Sequence, residues 1–187
     1  PLIHLPVQSG SDKVLKLMNR KHTIKKYLEI FNCLKKINPK IQFSSDFIIA
    51  YPGENEKDFN DTLNLVNELK FINSFSFIFS PRPGTVASNL QIMKKEDSLK
   101  RLEMLQNVLF KNQKVMNKSL ESKIIEVLVE NRTDDKVKLF GRSEYMTPVL
   151  FNGSDELIGK IVKVKVIYSN QNTLFGETVN HINQKVA

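Results

Sequence analysis

Three apolar runs, each ending in a polar or proline–glycine turn and separated by amphipathic segments, constrain this 187-residue chain more than any other feature. Leu2 to Val7 reads as a short strand, Gln42 to Tyr51 as a second and Phe75 to Phe79 as a third. Between them, Thr23 to Ile37 places Tyr27, Ile30, Phe31, Leu34 and Ile37 at helical spacing, and Asn55 to Leu69 does the same with Phe59, Leu63, Val66 and Leu69. Strand alternating with helix predicts a parallel sheet joined by right-handed crossovers, an α/β architecture. Ligands of such sheets and barrels bind at the carboxyl ends of the strands. The three polar ends are therefore expected to line one shared mouth.

The first end is the richest. In HLPVQSGSDKVLKLMNRKH, His4 to His22, Gln8-Ser9-Gly10-Ser11 forms a polar turn, and Ser11-Asp12 caps a helix that carries Arg20 at its far end. Gln8 can both donate and accept, and Arg20 offers a planar fork for a carboxylate. A salt bridge at the helix end is the alternative role for Arg20. At the second end, Asp46 lies inside an apolar strand, so it needs a partner or an opening. Pro52-Gly53-Glu54 then turns the chain, and Gly53 permits close backbone approach to a ligand. At the third, Ser80, Arg82, Gly84 and Thr85 follow the strand, with Pro81 and Pro83 stiffening the support of Arg82. An ordinary surface arginine at an exit loop is the other reading.

Composition fits a cytosolic globular chain with 41% apolar and 26% charged residues. No run approaches a membrane span, and nothing resembles a signal peptide. The lone Cys33 excludes an internal disulfide and, among Ile30, Leu34 and Ile37, reads as an inert core thiol. His4 is expected to be satisfied within the sheet, His22 and His181 at the surface, and no histidine pair has metal-ligand spacing. Basic residues outnumber acidic ones 12 to 8 over residues 1–90 and 7 to 3 over 91–119, and equal them at 9 each over 120–187. A basic body suits an anionic partner such as a nucleic acid, and a solvated lysine-rich surface explains it equally well.

Residues 95–120 predict a long amphipathic helix with Leu99, Leu102, Leu105, Leu109, Met116 and Leu120 as its packed stripe and Lys100, Arg101, Lys111, Lys114 and Lys118 largely elsewhere. Beyond Ser122 the period changes to two. Lys123–Glu130, Lys136–Arg142, Thr147–Phe151, Ile158–Ile167 and Leu174–Val179 are five candidate strands, enough for a small barrel of the oligonucleotide-binding kind. Lys163 and Lys165 alternate with valines and so face outward together. With Arg142 they are the candidate RNA contacts, an ordinary solvent face being the alternative. Phe140, Tyr145, Phe151 and Phe175 could stack on bases, although such a barrel must be filled, and most are expected in its core. Gly141, Gly159 and Gly176 read as bends or bulges.

Together, HLPVQSGSDKVLKLMNRKH, SSDFIIAYPGENEKDF and FSFIFSPRPGT resemble the later half of the radical S-adenosylmethionine methylthiotransferases, closest to the branch acting on isopentenyladenosine beside the tRNA anticodon. GRSEYMTPVLF and ELIGKIVKVKVI are similar to the TRAM domain that closes that family. The resemblance implies three parts: residues 1–94 as the last three strands of a partial (β/α) barrel, 95–120 as a connecting helix and 121–187 as a five-stranded TRAM barrel. It implies S-adenosylmethionine as cofactor, contacted by Gln8, Ser9, Arg20, Asp46, Gly53, Ser80 and Arg82, and tRNA as partner. It also implies [4Fe–4S] clusters held by cysteines of an amino-terminal half, through a CxxxCxxC motif that this chain lacks. One thiolate cannot hold such a cluster. The chain is accordingly expected to be a carboxyl-terminal piece, with no catalytic or metal residue of its own and inactive alone. Sister enzymes acting on threonylcarbamoyladenosine or a ribosomal protein share the framework, and a remnant RNA-binding module is the alternative of another class. Ala50 departs from the family's usual glycine.

Overall fold

The computed structural model describes residues 1–179, so His181 lies outside the described residues. Two compact units divide between Asn112 and Gln113.

In the first unit β1 (Leu2–His4) pairs in parallel with β2 (Gln42–Ser44), and β3 (Asp46–Ile49) pairs in parallel with β4 (Phe75–Ile78). The second apolar run is thus interrupted at Ser45, for a local reason. The Ser45 hydroxyl accepts the Val7 N–H at 2.9 Å, while its own N–H donates to Ser74 Oγ at 2.9 Å, so hydroxyls replace two ladder bonds there. Pairing resumes beyond it, with Gln8 bridged to Phe47 and the Ile48 N–H donating to the Gln8 carbonyl at 2.9 Å. The middle run therefore lies between the other two, and all three point the same way.

Each of the first three helices starts at a side chain that accepts an orphan N–H. These are Ser11 for α1 (Asp12–Leu17), Thr23 for α2 (Ile24–Ile37) and Asn55 for α3 (Glu56–Leu69), where Asp58 completes a capping box. One sheet face, carrying Val7, Phe43, Phe47 and Ile49, packs with Tyr27, Phe31, Phe59 and Val66 into a continuous core. The buried stripe of α2 runs through Tyr27 and Phe31, flanked by Ile24, Leu28 and Leu34. Cys33 is exposed, a correction to its expected core position, and Ile37 is 76% exposed. Ile30, Cys33 and Ile37 are also spaced by three and four, but their row is rotated from that of Tyr27 and Phe31 at about 100° per residue.

The long helix α4 spans Lys95–Ser119. Its buried positions include polar ones, Ser98, Asn112, Gln113 and Asn117, while Leu99, Phe110 and Val115 are exposed. Arg101 also turns inward: its guanidinium pairs with the buried Glu54 and with Glu56, and lies 5.0 Å from the Phe59 ring centre.

The second unit closes the five expected strands into a barrel: β5 (Ile124–Arg132), β6 (Leu139–Ser143), β7 (Pro148–Asn152), β8 (Ile161–Ser169) and β9 (Leu174–Thr178), in the order β5-β6-β7-β9-β8. Gly141 and Gly176 make the two tight crossings. A Cβ on Gly141 would collide with the Leu128 carbonyl oxygen and lie 2.6 Å from the Val127 side chain. One on Gly176 would collide with the Lys165 carbonyl oxygen in the same way. Each glycine sits beside a register shift, at Val129/Asn131 and at Val166/Tyr168, which bends the sheet on itself.

Candidate functional site

The first two loop ends are locked together by one carboxylate. Asp58, at the start of α3, accepts from Ser11 Oγ at 2.7 Å, from Lys13 Nζ at 2.7 Å and from the Asn55 N–H at 2.9 Å. Burial pushes the Asp58 carboxyl up, but the Asn55 N–H, Lys13 and Ser11 outweigh it and hold the group below the usual carboxylate range. Lys13 also donates to the Gly53 carbonyl at 2.8 Å, which ties the start of α1 to the turn after β3.

Within that frame, a cleft of about 460 Å³ opens at the carboxyl ends of β3 and β4. Arg20, Ser80 and Arg82 supply its polar rim, and Met18, Ile48, Tyr51, Phe77 and Phe79 its apolar and aromatic lining. α1 ends at Leu17, so Arg20 stands beyond the helix, after Asn19 in the left-handed region at φ 57°. The Tyr51 hydroxyl donates to the Leu17 carbonyl at 3.2 Å, and its ring meets Phe79 edge-on at 4.8 Å, which fixes the aromatic wall. Two guanidinium groups beside a ring-lined recess suit a ligand with an anionic end and a planar end.

The other expected site residues, Gln8, Ser9, Asp46 and Gly53, are not among those that line this cleft. Gln8 is buried at φ 74° and extends the sheet through its backbone. Asp46 has the partner its position demands: its Oδ2 lies 3.3 Å from His4 Nε2, and His4 Nδ1 lies 2.8 Å from Ser44 Oγ. Ser9 is buried, with its hydroxyl 3.4 Å from Thr62 Oγ1 and accepting the Ser11 N–H at 3.2 Å, which directs it towards α3. Gly53 lines a neighbouring cleft of about 540 Å³ with Leu17, Tyr51, Glu54 and the segment 90–93. Tyr51 is the wall between the two clefts.

Sequence reasoning alone does not single out Tyr51, Phe77 and Phe79. Their signal is nonetheless present as period-two phenylalanines in FSFIF, which put Phe75, Phe77 and Phe79 on one face of β4. The buried Glu54 escapes it too. Burial pushes its carboxyl up, opposed by Arg101 and by the Ala50 N–H, which donates to it at 3.1 Å.

On the barrel, Lys163 and Lys165 face outward as the alternation predicts, but each has an acid across the ladder: Glu126 opposite Lys163, and Glu177 opposite Lys165. Arg142 pairs with Glu130 at 3.1 Å. Tyr145 and Phe151 are buried as expected, while Phe140 and Phe175 are only partly buried. Among the described residues no group of three or more His, Cys, Asp or Glu could hold a metal ion, and no helix is long and apolar enough to cross a membrane.

Residues 1–66 match the radical SAM superfamily and residues 118–179 match the TRAM domain. The tRNA-2-methylthio-N(6)-dimethylallyladenosine synthase of Pelagibacter ubique (strain HTCC1062) is 61% identical over 187 residues, all of this chain and 42% of that protein. The synthase of the same name from Ruthia magnifica is 44% identical over 178 residues, 95% of this chain and 40% of that protein. The chain thus spans about two fifths of the length of these curated relatives. Among solved structures, Escherichia coli coproporphyrinogen III oxidase, described as a radical SAM enzyme, superposes with a TM-score of 0.51 at 14% identity, covering 95% of this chain and 45% of that one, a likeness of fold alone. The whole chain is therefore homologous to part of the tRNA-2-methylthio-N(6)-dimethylallyladenosine synthases and carries a radical SAM segment followed by a TRAM domain.

Proposed function

We propose that this chain is the carboxyl-terminal portion of a tRNA methylthiotransferase, contributing the S-adenosylmethionine pocket and the tRNA-docking barrel. Residues 1–94 would be strands four to six of a six-stranded partial barrel, 95–120 the connecting helix and 121–187 the TRAM domain. The observation that carries this reading is a single cleft at the carboxyl ends of the strands, lined by Arg20 and Arg82 together with Tyr51 and Phe79. S-adenosylmethionine has a carboxylate for a guanidinium, ribose hydroxyls for Ser80 and a planar adenine for the aromatic wall. Gln8 and Gly53 would close on it from the adjoining turns, with Ser9 fixing the first turn through Thr62 and Asp46 tying β3 to β1 through His4. Bound adenosylmethionine would supply the adenosyl group for hydrogen abstraction at the target adenosine.

The residues present do not fit an iron–sulfur cluster. The chain has one cysteine, and Cys33 lies on the exposed side of α2, remote in sequence from every loop end. The cluster would belong to an amino-terminal half, and turnover would need this chain joined to it or paired with it. Titration calorimetry tests the pocket directly. S-adenosylmethionine should bind the chain and Arg20→Gln should weaken it by about tenfold, the scale of one charge-assisted pair. No binding at millimolar ligand would remove the pocket assignment.

A second reading, an RNA-binding barrel working without catalysis, is favoured by one observation: all five strands of the barrel close within the second compact unit.

A further inference from the structure

The outer surface of the barrel carries a row of large apolar side chains across four strands. Phe140 in β6 is in register with Leu150 in β7, Leu150 with Phe175 in β9, and Phe175 with Tyr168 in β8. None of the four is buried, whereas their neighbours Leu139, Val149, Phe151 and Leu174 fill the interior. The Tyr168 and Phe175 rings are stacked, 4.4 Å between centres and 6° between planes, and Tyr168 remains 53% exposed. Cations flank the row: Lys138 Nζ lies 5.5 Å from the Phe175 ring centre and the Arg142 guanidinium 5.5 Å from that of Phe140. Partly exposed rings interleaved with cations cost stability in water and offer what unpaired bases need, π-faces for stacking and positive charge for phosphates.

We propose that this row, rather than the Lys163–Lys165 pair, is the RNA-binding surface of the barrel, and that it takes an unpaired stretch of RNA. This rests on the proposed reading of the barrel as the RNA-docking part of the chain. The two lysines are the weaker platform because Glu126 and Glu177 stand opposite them in the ladder. The row has Glu130 near it, held by Arg142, and Glu177 beside Phe175 on the same strand. Duplex RNA hides its base faces, whereas loops and unpaired segments present them, so the row selects for single strands.

The test is direct titration of the full chain with a fluorescein-labelled single-stranded oligoribonucleotide and with a fully paired hairpin of the same composition. The single strand should bind more tightly. Tyr168→Ala should weaken it by about tenfold, as for loss of one stacked base, and Tyr168→Phe should retain it. Because the chain has no tryptophan, Tyr168→Trp also places a single indole reporter in the row, and single-stranded RNA should quench it. This second readout holds even where Tyr168→Ala fails to fold. Binding that survives Tyr168→Ala with the indole reporter unquenched, yet is lost in Lys163→Ala/Lys165→Ala, overturns the row and leaves the RNA reading standing. No binding of either RNA at low salt overturns the RNA reading and the row with it.

Discussion

Ala50 shows how much one methyl group can reveal. It ends β3 with φ at 55°, in the left-handed region that disfavours any residue with a Cβ by about 1–2 kcal/mol. It is buried, and its N–H is held by Glu54, which Arg101 holds in turn, so the surrounding structure enforces the conformation. The resemblance implies a glycine here, and the backbone gives the physical reason for one. Ala50→Gly relieves the strain and adds unfolded-chain entropy worth about 0.4–1 kcal/mol, so a net stabilisation of about 0.5 kcal/mol is expected. Denaturant titration of both proteins reads it. A loss above about 1 kcal/mol would mean that packing of the Ala50 methyl outweighs the strain of its backbone.

At the scale of elements, the barrel is the most legible part and the helix stripes the least. Strict alternation with Asn, Asp and Gly turns has one structural solution, so all five strands emerge from pattern alone. In α2 two rows share the same spacing, and only the sheet decides that Tyr27 and Phe31 go in while Cys33 stays out. In α4 the inward Arg101, Asn112 and Asn117 find partners that no periodicity reveals: Glu54 for the first, the Val66 carbonyl for the second, and the carbonyls of Asn170 and Gln171 for the third. The candidate site divides the same way. Arg20, Ser80 and Arg82 are visible as polar groups at strand ends, whereas the aromatic wall they face requires knowing which face of β4 is open. Barrel closure itself depends on Gly176, where an added Cβ meets the Lys165 carbonyl and the Val164 side chain, 2.6 Å away. Gly176→Ala should destabilise the barrel by about 2 kcal/mol, the usual scale of overpacking. The loss should appear in amide exchange of β8 and β9. Unaltered protection there would show that the β8 bulge can open without cost.

Across the molecule, the two units treat their sheet edges in opposite ways. The barrel closes on itself and has no free edge. In the first unit the strands pair in an open sheet, and the face opposite the core carries Phe75 and Phe77, 59% and 53% exposed. Open parallel edges and exposed rings on one strand invite pairing with another chain, and parallel sheets are ordinarily covered on both faces. The excess of basic residues lies in residues 1–119, so repulsion between copies opposes this attraction most at low salt. Self-association should therefore rise with both protein and salt concentration in sedimentation velocity runs. Phe75→Thr with Phe77→Thr keeps strand propensity while removing the apolar face, and should shift the distribution to monomer at concentrations where the parent chain associates. Association that is unchanged in the double variant, or that falls as salt is added, would trace the contact to charged surface elsewhere and acquit the open sheet.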